Sequence, residues 1–233
     1  MKSLFRGNAV MIIFLIIMAF NSIQSGRFNN PAEWFTEMLL RLPAIIIALT
    51  LHEFAHAFSA WKLGDATPKA QGRVTLNPLS HIDPTGIIAL VFVGFGWGRP
   101  VQVNPYAFKK NRRLSNIIVD ISGVTTNFII AFLCTPLLFV IQNETLFMIV
   151  LNIVYINFIL MVFNLLPIPP LDGFGIITEI FDLRRFDWYR PVYSNGFFIL
   201  LILIIFGLLG RLLSPALSVL FGFSQNFWVG VLF

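Results

Sequence analysis

The chain has three histidines, and two of them stand in the run His52-Glu53-Phe54-Ala55-His56. On a helix, residues four apart differ by about 40° around the axis and about 6 Å along it. Both imidazoles then face one spot and can share a metal ion. Glu53, rotated by about 100°, reaches a water in an open position of that metal, as a general base would. Random placement of 3 His and the five Glu over 233 positions gives this pattern about once in 2,000 sequences. A catalytic zinc takes three protein ligands and keeps a fourth position for water. The candidate third ligand is Asp172, in Asn164-Leu165-Leu166-Pro167-Ile168-Pro169-Pro170-Leu171-Asp172-Gly173. Pro167, Pro169 and Pro170 forbid a continuous helix there. Unwound backbone at membrane depth survives only where protein or a wet cavity covers it. Alone, Asp172 reads as the cap of a helix over Gly173–Asp182; beside the histidine pair it reads as a ligand.

These residues need elements to hold them, and the composition says in what solvent. The 233 residues are 57% apolar and 12% charged, with 26 Phe, and the mean hydropathy is +0.82. Disorder is excluded, because a solvated chain cannot carry so much apolar surface. A chain this short cannot bury it all away from water either, so the bilayer is the solvent for much of the protein. The net charge of +5 comes from basic residues between apolar runs. They form no stripe with interleaved aromatics, which argues for membrane topology and against a nucleic-acid partner. Cys134, the one cysteine, makes no intramolecular disulfide and reads as a small core residue.

Six apolar segments follow. Ala9–Phe20 reads as a first membrane helix or signal anchor, with no small-x-small cleavage site in Asn21–Gln24. The second runs from Pro43, placed in a first helical turn, to Trp61. Ile87–Gly96 is too short to cross and is interrupted by Gly94 and Gly96, with Gly86 and Gly98 at its ends. A re-entrant or edge-strand segment is expected there rather than a helix. Leu114–Ile141, Leu146–Leu166 and Tyr193–Leu213 are the remaining spans. The tail after Pro215 fits either a sixth span or a segment lying against the bundle. The expected fold is an all-α polytopic membrane protein, one domain over residues 1–233. It has five to six transmembrane helices and a short re-entrant or β-edge segment between the second and third. Residues 62–113 carry eight basic residues against Asp65 and Asp83, and 168–192 add Arg184, Arg185 and Arg190, whereas Gln142–Thr145 has no basic residue. The positive-inside rule makes the N-terminus, 62–113 and 168–192 cytoplasmic. A multi-pass protein of the cell membrane is expected, with its site in the bilayer towards the cytoplasmic side.

With its Asn164…Pro-Pro-Leu171-Asp172-Gly173 segment and its His52-Glu53-x-x-His56, the chain resembles the site-2 proteases (peptidase M50), zinc metalloproteases that cut inside the membrane. Ser122-Gly123-Val124-Thr125-Thr126-Asn127 is similar to that family's Gly-x-x-x-Asn stretch, with Val124 where the family usually has Pro. Phe174 stands where a second Gly often follows Asp-Gly. The likeness covers roughly residues 40–180. It implies Zn2+ held by His52, His56 and Asp172, with Glu53 as general base. It further implies Asn164 at the substrate carbonyl or its oxyanion, and Gly123 and Asn127 in support of substrate. Gly72-Arg73-Val74-Thr75-Leu76-Asn77-Pro78, with His81, Asp83 and Pro84, resembles a loop of the small single-domain bacterial members. Trp97–Pro105 resembles their edge segment, from which Ile87–Val103 is expected to pair with extended substrate as an added strand. The implied activity is zinc-dependent endopeptidase cleavage within transmembrane segments of membrane proteins, as in regulated intramembrane proteolysis. Its partners are transmembrane substrates and the lipid bilayer. The rivals are a metal-cation permease and a non-cleaving membrane scaffold of the same fold. The glutamate beside the first histidine argues against the permease, and its retention argues against the scaffold. Elsewhere, His81-Ile82-Asp83 reads as turn chemistry, Asp120 as a partner of a basic neighbour such as Arg112 or Arg113 or as a residue at a solvated headgroup position, and Trp97 and Trp188 as interfacial anchors. Glu144 and Glu179, the alternatives for a downstream glutamate ligand, lack a supporting motif.

Overall fold

The computed structural model describes Ile16, Phe20, Ile23, Gln24, Gly26, residues 28–93 and residues 96–233. The expected first helix, Ala9–Phe20, lies outside the described residues apart from Ile16 and Phe20. Among the described residues the chain is helical and has no strand. The main helices are α1 (Pro31–Leu63), α2 (Pro84–Val93), α3 (Arg112–Cys134), α4 (Glu144–Asn164), α5 (Asp172–Phe181), α6 (Tyr189–Ile205) and α7 (Leu208–Leu232). The 3-10 turn Thr135–Phe139 prolongs α3. Four helices, α1, α3 with its extension, α4 and α7, are long and apolar enough to cross a membrane, and α6 is shorter. Only 22%, 28%, 22% and 11% of their apolar stretches are buried within the protein, so these surfaces need lipid rather than water. The all-α membrane fold expected from the sequence is the one observed.

Two boundaries differ from expectation, for local reasons. Helix α1 starts at Pro31, not at Pro43. Asn30 Oδ1 accepts the Glu33 N–H at 3.3 Å, and Asn30 Nδ2 donates to Glu33 Oε2 at 3.1 Å. This reciprocal cap, with proline at the first helical position, starts the helix earlier. Pro43 then stands inside it and removes the bond its N–H would have made to Leu39. The expected span Tyr193–Leu213 is broken instead at Gly207, whose φ of 63° is the left-handed conformation that glycine adopts without strain. The tail that the sequence left open is α7, which runs through Pro215.

The chain forms two compact units. The first comprises Met1–Leu39 and Ile82–Arg99. Within it, residues expected to form a re-entrant or edge strand rather than a helix form α2. The Asp83 carboxylate explains this by accepting the Thr85 N–H at 2.9 Å, the Thr85 hydroxyl at 2.5 Å and the Gly86 N–H at 3.1 Å. A capped start with Pro84 outweighs the glycines, which fall at the ends of the segment. The same hydrogen bonds, led by the Thr85 hydroxyl, hold Asp83 below the usual carboxylate pKa. The β character that remains is one antiparallel bridge, Ile82 to Gly98. Gly86 is required because the Trp97 backbone lies where its Cβ would be.

The second unit, Leu40–His81 and Pro100–Phe233, holds the rest of α1 and α3–α7. Helix α3 packs on α4 and α5, and α4 packs on α7. Their core is Ala131, Val154, Phe158, Val162, Leu213 and Leu217. Polar groups turn inward: Ser224 donates to Thr135 Oγ1 at 2.9 Å, and Asn127 and Asn157 have no exposed surface. A polar interior under an apolar exterior is the pattern of helices that associate in lipid. Gly196 lets α6 approach the Pro169 backbone, where a Cβ would clash, so the proline-rich break is packed against a helix.

Candidate metal centre

His52 and His56, on α1, are 5% and 8% exposed, with Nε2 atoms 2.9 Å apart. Asp172, the first residue of α5, places Oδ2 at 3.3 Å from each of them. The hydrogen bonds behind the rings decide what these three atoms are. His56 Nδ1 lies 2.7 Å from the Val119 carbonyl, which only accepts, so the ring proton is on Nδ1. His52 Nδ1 lies 2.7 Å from Asn127 Oδ1. Asn127 Nδ2 donates to the Ala48 carbonyl at 3.2 Å and to Asn157 Oδ1 at 2.8 Å, and Asn157 Nδ2 donates to the Ile153 carbonyl at 2.8 Å. Those bonds fix both amides, so Asn127 Oδ1 accepts and His52 also carries its proton on Nδ1.

With both rings neutral, three acceptors meet with no proton between them, and Asp172 Oδ2 is buried without a hydrogen-bond donor. Such an arrangement calls for a cation. Tetrahedral zinc at about 2.0–2.1 Å from its ligands sets them about 3.3 Å apart, against the observed 2.9, 3.3 and 3.3 Å. The residues fit Zn2+, and among the described residues this is the one His/Cys/Asp/Glu group placed to hold a metal. Gly123 borders it directly: a Cβ there would lie 2.5 Å from His56 Nε2 and 2.7 Å from His52 Cε1.

The other sequence candidates have definite places. Glu53 is half-buried one residue after His52, and its Oε2 accepts the Val101 N–H at 3.1 Å. Asn127 stands behind His52, fully buried, with each of its polar atoms bonded to protein. Its position is that of a support behind His52. Asn164 closes α4 and donates to the Leu160 carbonyl at 3.0 Å. His81 is buried, with Nε2 at 2.8 Å from the Thr75 carbonyl. Phe174 packs on Tyr189, their ring centroids 5.8 Å apart. Asp120 is not paired with Arg112 or Arg113, because those side chains are engaged elsewhere. Arg112 lies over the Tyr106 ring at 5.3 Å, and Arg113 donates to the carbonyls of Glu179 and Ile180. Asp120 instead lies against Gly175, one turn beyond Asp172, where no side chain would fit.

One group escaped the sequence reading. Asn157, a polar residue amid the apolar α4, carried a signal of its own as an amide inside a span. Glu179 is 2% exposed and accepts from Arg184 at 2.7 Å and from Asn116 at 2.6 Å. Burial works against its charge. Hydrogen bonds from Arg184 and Asn116, with the charges of Arg184 and Arg112, nevertheless hold Glu179 below its ordinary pKa.

The chain is 39% identical over 184 residues to "Putative zinc metalloprotease YwhC" of Bacillus subtilis, covering 75% of this chain and 84% of that protein. It is 29% identical over 205 residues to "Putative zinc metalloprotease Rip2" of Mycolicibacterium smegmatis, covering 84% and 78%. With Rip2 of Mycobacterium tuberculosis it shares 28% identity over 214 residues, covering 88% and 78%. No protein-family model and no solved structure matches it. With its zinc-fitting triad and a relative this similar over most of both chains, the protein belongs to the zinc metalloprotease family of YwhC.

Proposed function

We propose that this metalloprotease is an intramembrane endopeptidase of the site-2 protease type (peptidase M50), cutting transmembrane segments of membrane proteins. The observation that carries the reading is the position of the triad: His52 and His56 lie on a helix apolar enough to cross a membrane, with Glu53 between them. Zinc, when bound, supplies Lewis acidity towards water and the scissile carbonyl. His52, His56 and Asp172 present three unprotonated lone pairs to it, and Asn127 and Val119 keep the two rings in that tautomer. Glu53 accepts the proton of the attacking water and returns it to the leaving nitrogen. Asn164 Nδ2 has a second proton beyond the one given to Leu160, which serves the developing oxyanion. A helical substrate hides its carbonyls in i to i−4 bonds and must unwind locally before attack.

The test is Glu53→Gln in the full chain, purified in detergent and assayed on a panel of single-span peptides with zinc content measured in parallel. Cleavage should fall by about two orders of magnitude or more while zinc is kept, because the amide cannot accept a proton. Cleavage at the wild-type rate would remove Glu53 from the mechanism. Zinc flux into liposomes without any proteolysis would favour the permease.

A further inference from the structure

Glu53 has three side-chain torsions and, unrestrained, samples many rotamers, few of them productive for proton transfer. Its Oε2 accepts the main-chain N–H of Val101, a residue 48 positions along the chain. Oε1 accepts no hydrogen bond among the described residues.

The segment carrying that N–H is tied down at several points by the turn that follows α1. The Pro100 carbonyl accepts from Nη2 of the buried Arg73 at 2.7 Å. Gln102 accepts from Gln71 at 2.9 Å. The Asn104 N–H donates to Asp65 Oδ2 at 2.7 Å, and Asp65, which has no exposed surface, takes the Thr67 N–H on Oδ1 at 2.9 Å. Further on, the Lys109 N–H closes on the Leu63 carbonyl at 3.0 Å. Val101 and Val103 are half-buried and Gln102 and Asn104 exposed, the alternation of extended chain. Buried Arg73 and Asp65 thus bond to the backbone of the very segment that meets Glu53, and these bonds set its register.

We propose that the Val101 main-chain N–H is a positioning group for Glu53. It holds Oε2 and so leaves Oε1 to face the attacking water. Arg73 and Asp65 act through it, as anchors of the segment. The inference rests on the reading of Glu53 as general base, and it adds a part for Pro100–Asn104 that needs no contact with substrate.

The test compares the full-length wild type, Val101→Pro and Glu53→Gln in detergent, with kcat, KM and zinc content measured on one single-span fluorogenic peptide. Val101→Pro deletes the N–H. Its kcat should fall by about tenfold or more, with KM and zinc within about twofold of wild type. Should Val101→Pro fold poorly, an amide-to-ester replacement at residue 101 in semisynthetic protein removes the N–H alone and should give the same loss of kcat. A wild-type kcat in the proline or ester variant overturns the proposal, as does a loss confined to KM, which would make the segment a substrate contact. The two readings separate cleanly: an active Glu53→Gln sinks the base itself. An inactive Glu53→Gln beside a fully active Val101→Pro sinks only the positioning role.

Discussion

With neutral rings, the two imidazoles and the carboxylate turn lone pairs on one another and call for an ion, so the residues behind them that fix the tautomers do as much as the ligands. Asn127 is the clearest case, since its Oδ1 fixes the His52 tautomer and its Nδ2 ties α3 to both α1 and α4. Asn127→Leu has similar bulk and no acceptor, which frees the His52 proton to move to Nε2. Loss of such a support costs about 10–100-fold in metal affinity. Chelator competition on the purified variant should show that loss, with His56→Ala as the control that abolishes binding; wild-type affinity in Asn127→Leu would remove its supporting part. At this scale the His52-Glu53-x-x-His56 pattern was legible because helical periodicity alone brings the histidines together. Asp172 was legible because prolines around a carboxylate in an apolar chain are conspicuous. The neighbour of Asn127 was not legible, because which amide meets which imidazole depends on how three helices pack. Val101 was invisible for a simpler reason: a main-chain N–H has no letter in the sequence.

Helix α5 brings Asp172 to the histidines, and its far end is clamped. Arg113 holds the carbonyls of Glu179 and Ile180, and Asn116 and Arg184 hold the Glu179 carboxylate. At the near end the Leu165 carbonyl lies where a Gly173 Cβ would be, and Asp120 lies against Gly175. A helix of ten residues fixed at both ends can place one carboxylate oxygen within tenths of an ångström. The Glu179 pKa is depressed in the folded state, so its contribution to stability is present above the unfolded value of about 4.3 and is lost as pH falls through the folded one. Thermal unfolding in detergent should show Tm dropping as pH is lowered from 5 towards the acid limit, with a shallower fall over the same window in Glu179→Gln. At neutral pH that variant should lose about 1 kcal/mol, or roughly 2–4 °C, because Arg184 is half exposed and solvent weakens the pair. Identical profiles would show that the clamp does not hold α5. Elements were read well where a long apolar stretch met no competing signal, as in α4. They were misread at Pro43 and over Ile87–Gly96, where short caps around Asn30 and Asp83 outweighed proline and glycine.

At the scale of the whole molecule, the question is how deep the metal lies in the bilayer. Helix α1 has 33 residues, about 50 Å against a hydrocarbon core of about 30 Å, so it must tilt or project. Its basic end marks one interface. The Lys62 ammonium lies over the rings of Trp61 and Phe58, at 4.9 and 5.3 Å, and Lys69 lies over Trp61 at 4.2 Å. Trp with Lys is the usual composition of the headgroup region. From His52 to Lys62 is ten residues, about 15 Å, which on the proposed intramembrane reading would set a bound metal near mid-depth of the core. We propose, from the excess of basic residues in 62–113 and the positive-inside rule, that this end is the cytoplasmic one. Cleavage of single-span substrates in proteoliposomes should therefore fall inside the span, at its middle or nearer its cytoplasmic end. The preferred stretch should contain Gly or Asn, which lower the cost of unwinding. Mass spectrometry of the products locates the cut to a single bond. Cuts confined to loops outside the bilayer would refute the intramembrane reading. Cuts in the extracytoplasmic half of the span would invert the orientation while leaving the chemistry of Glu53 and the zinc triad intact.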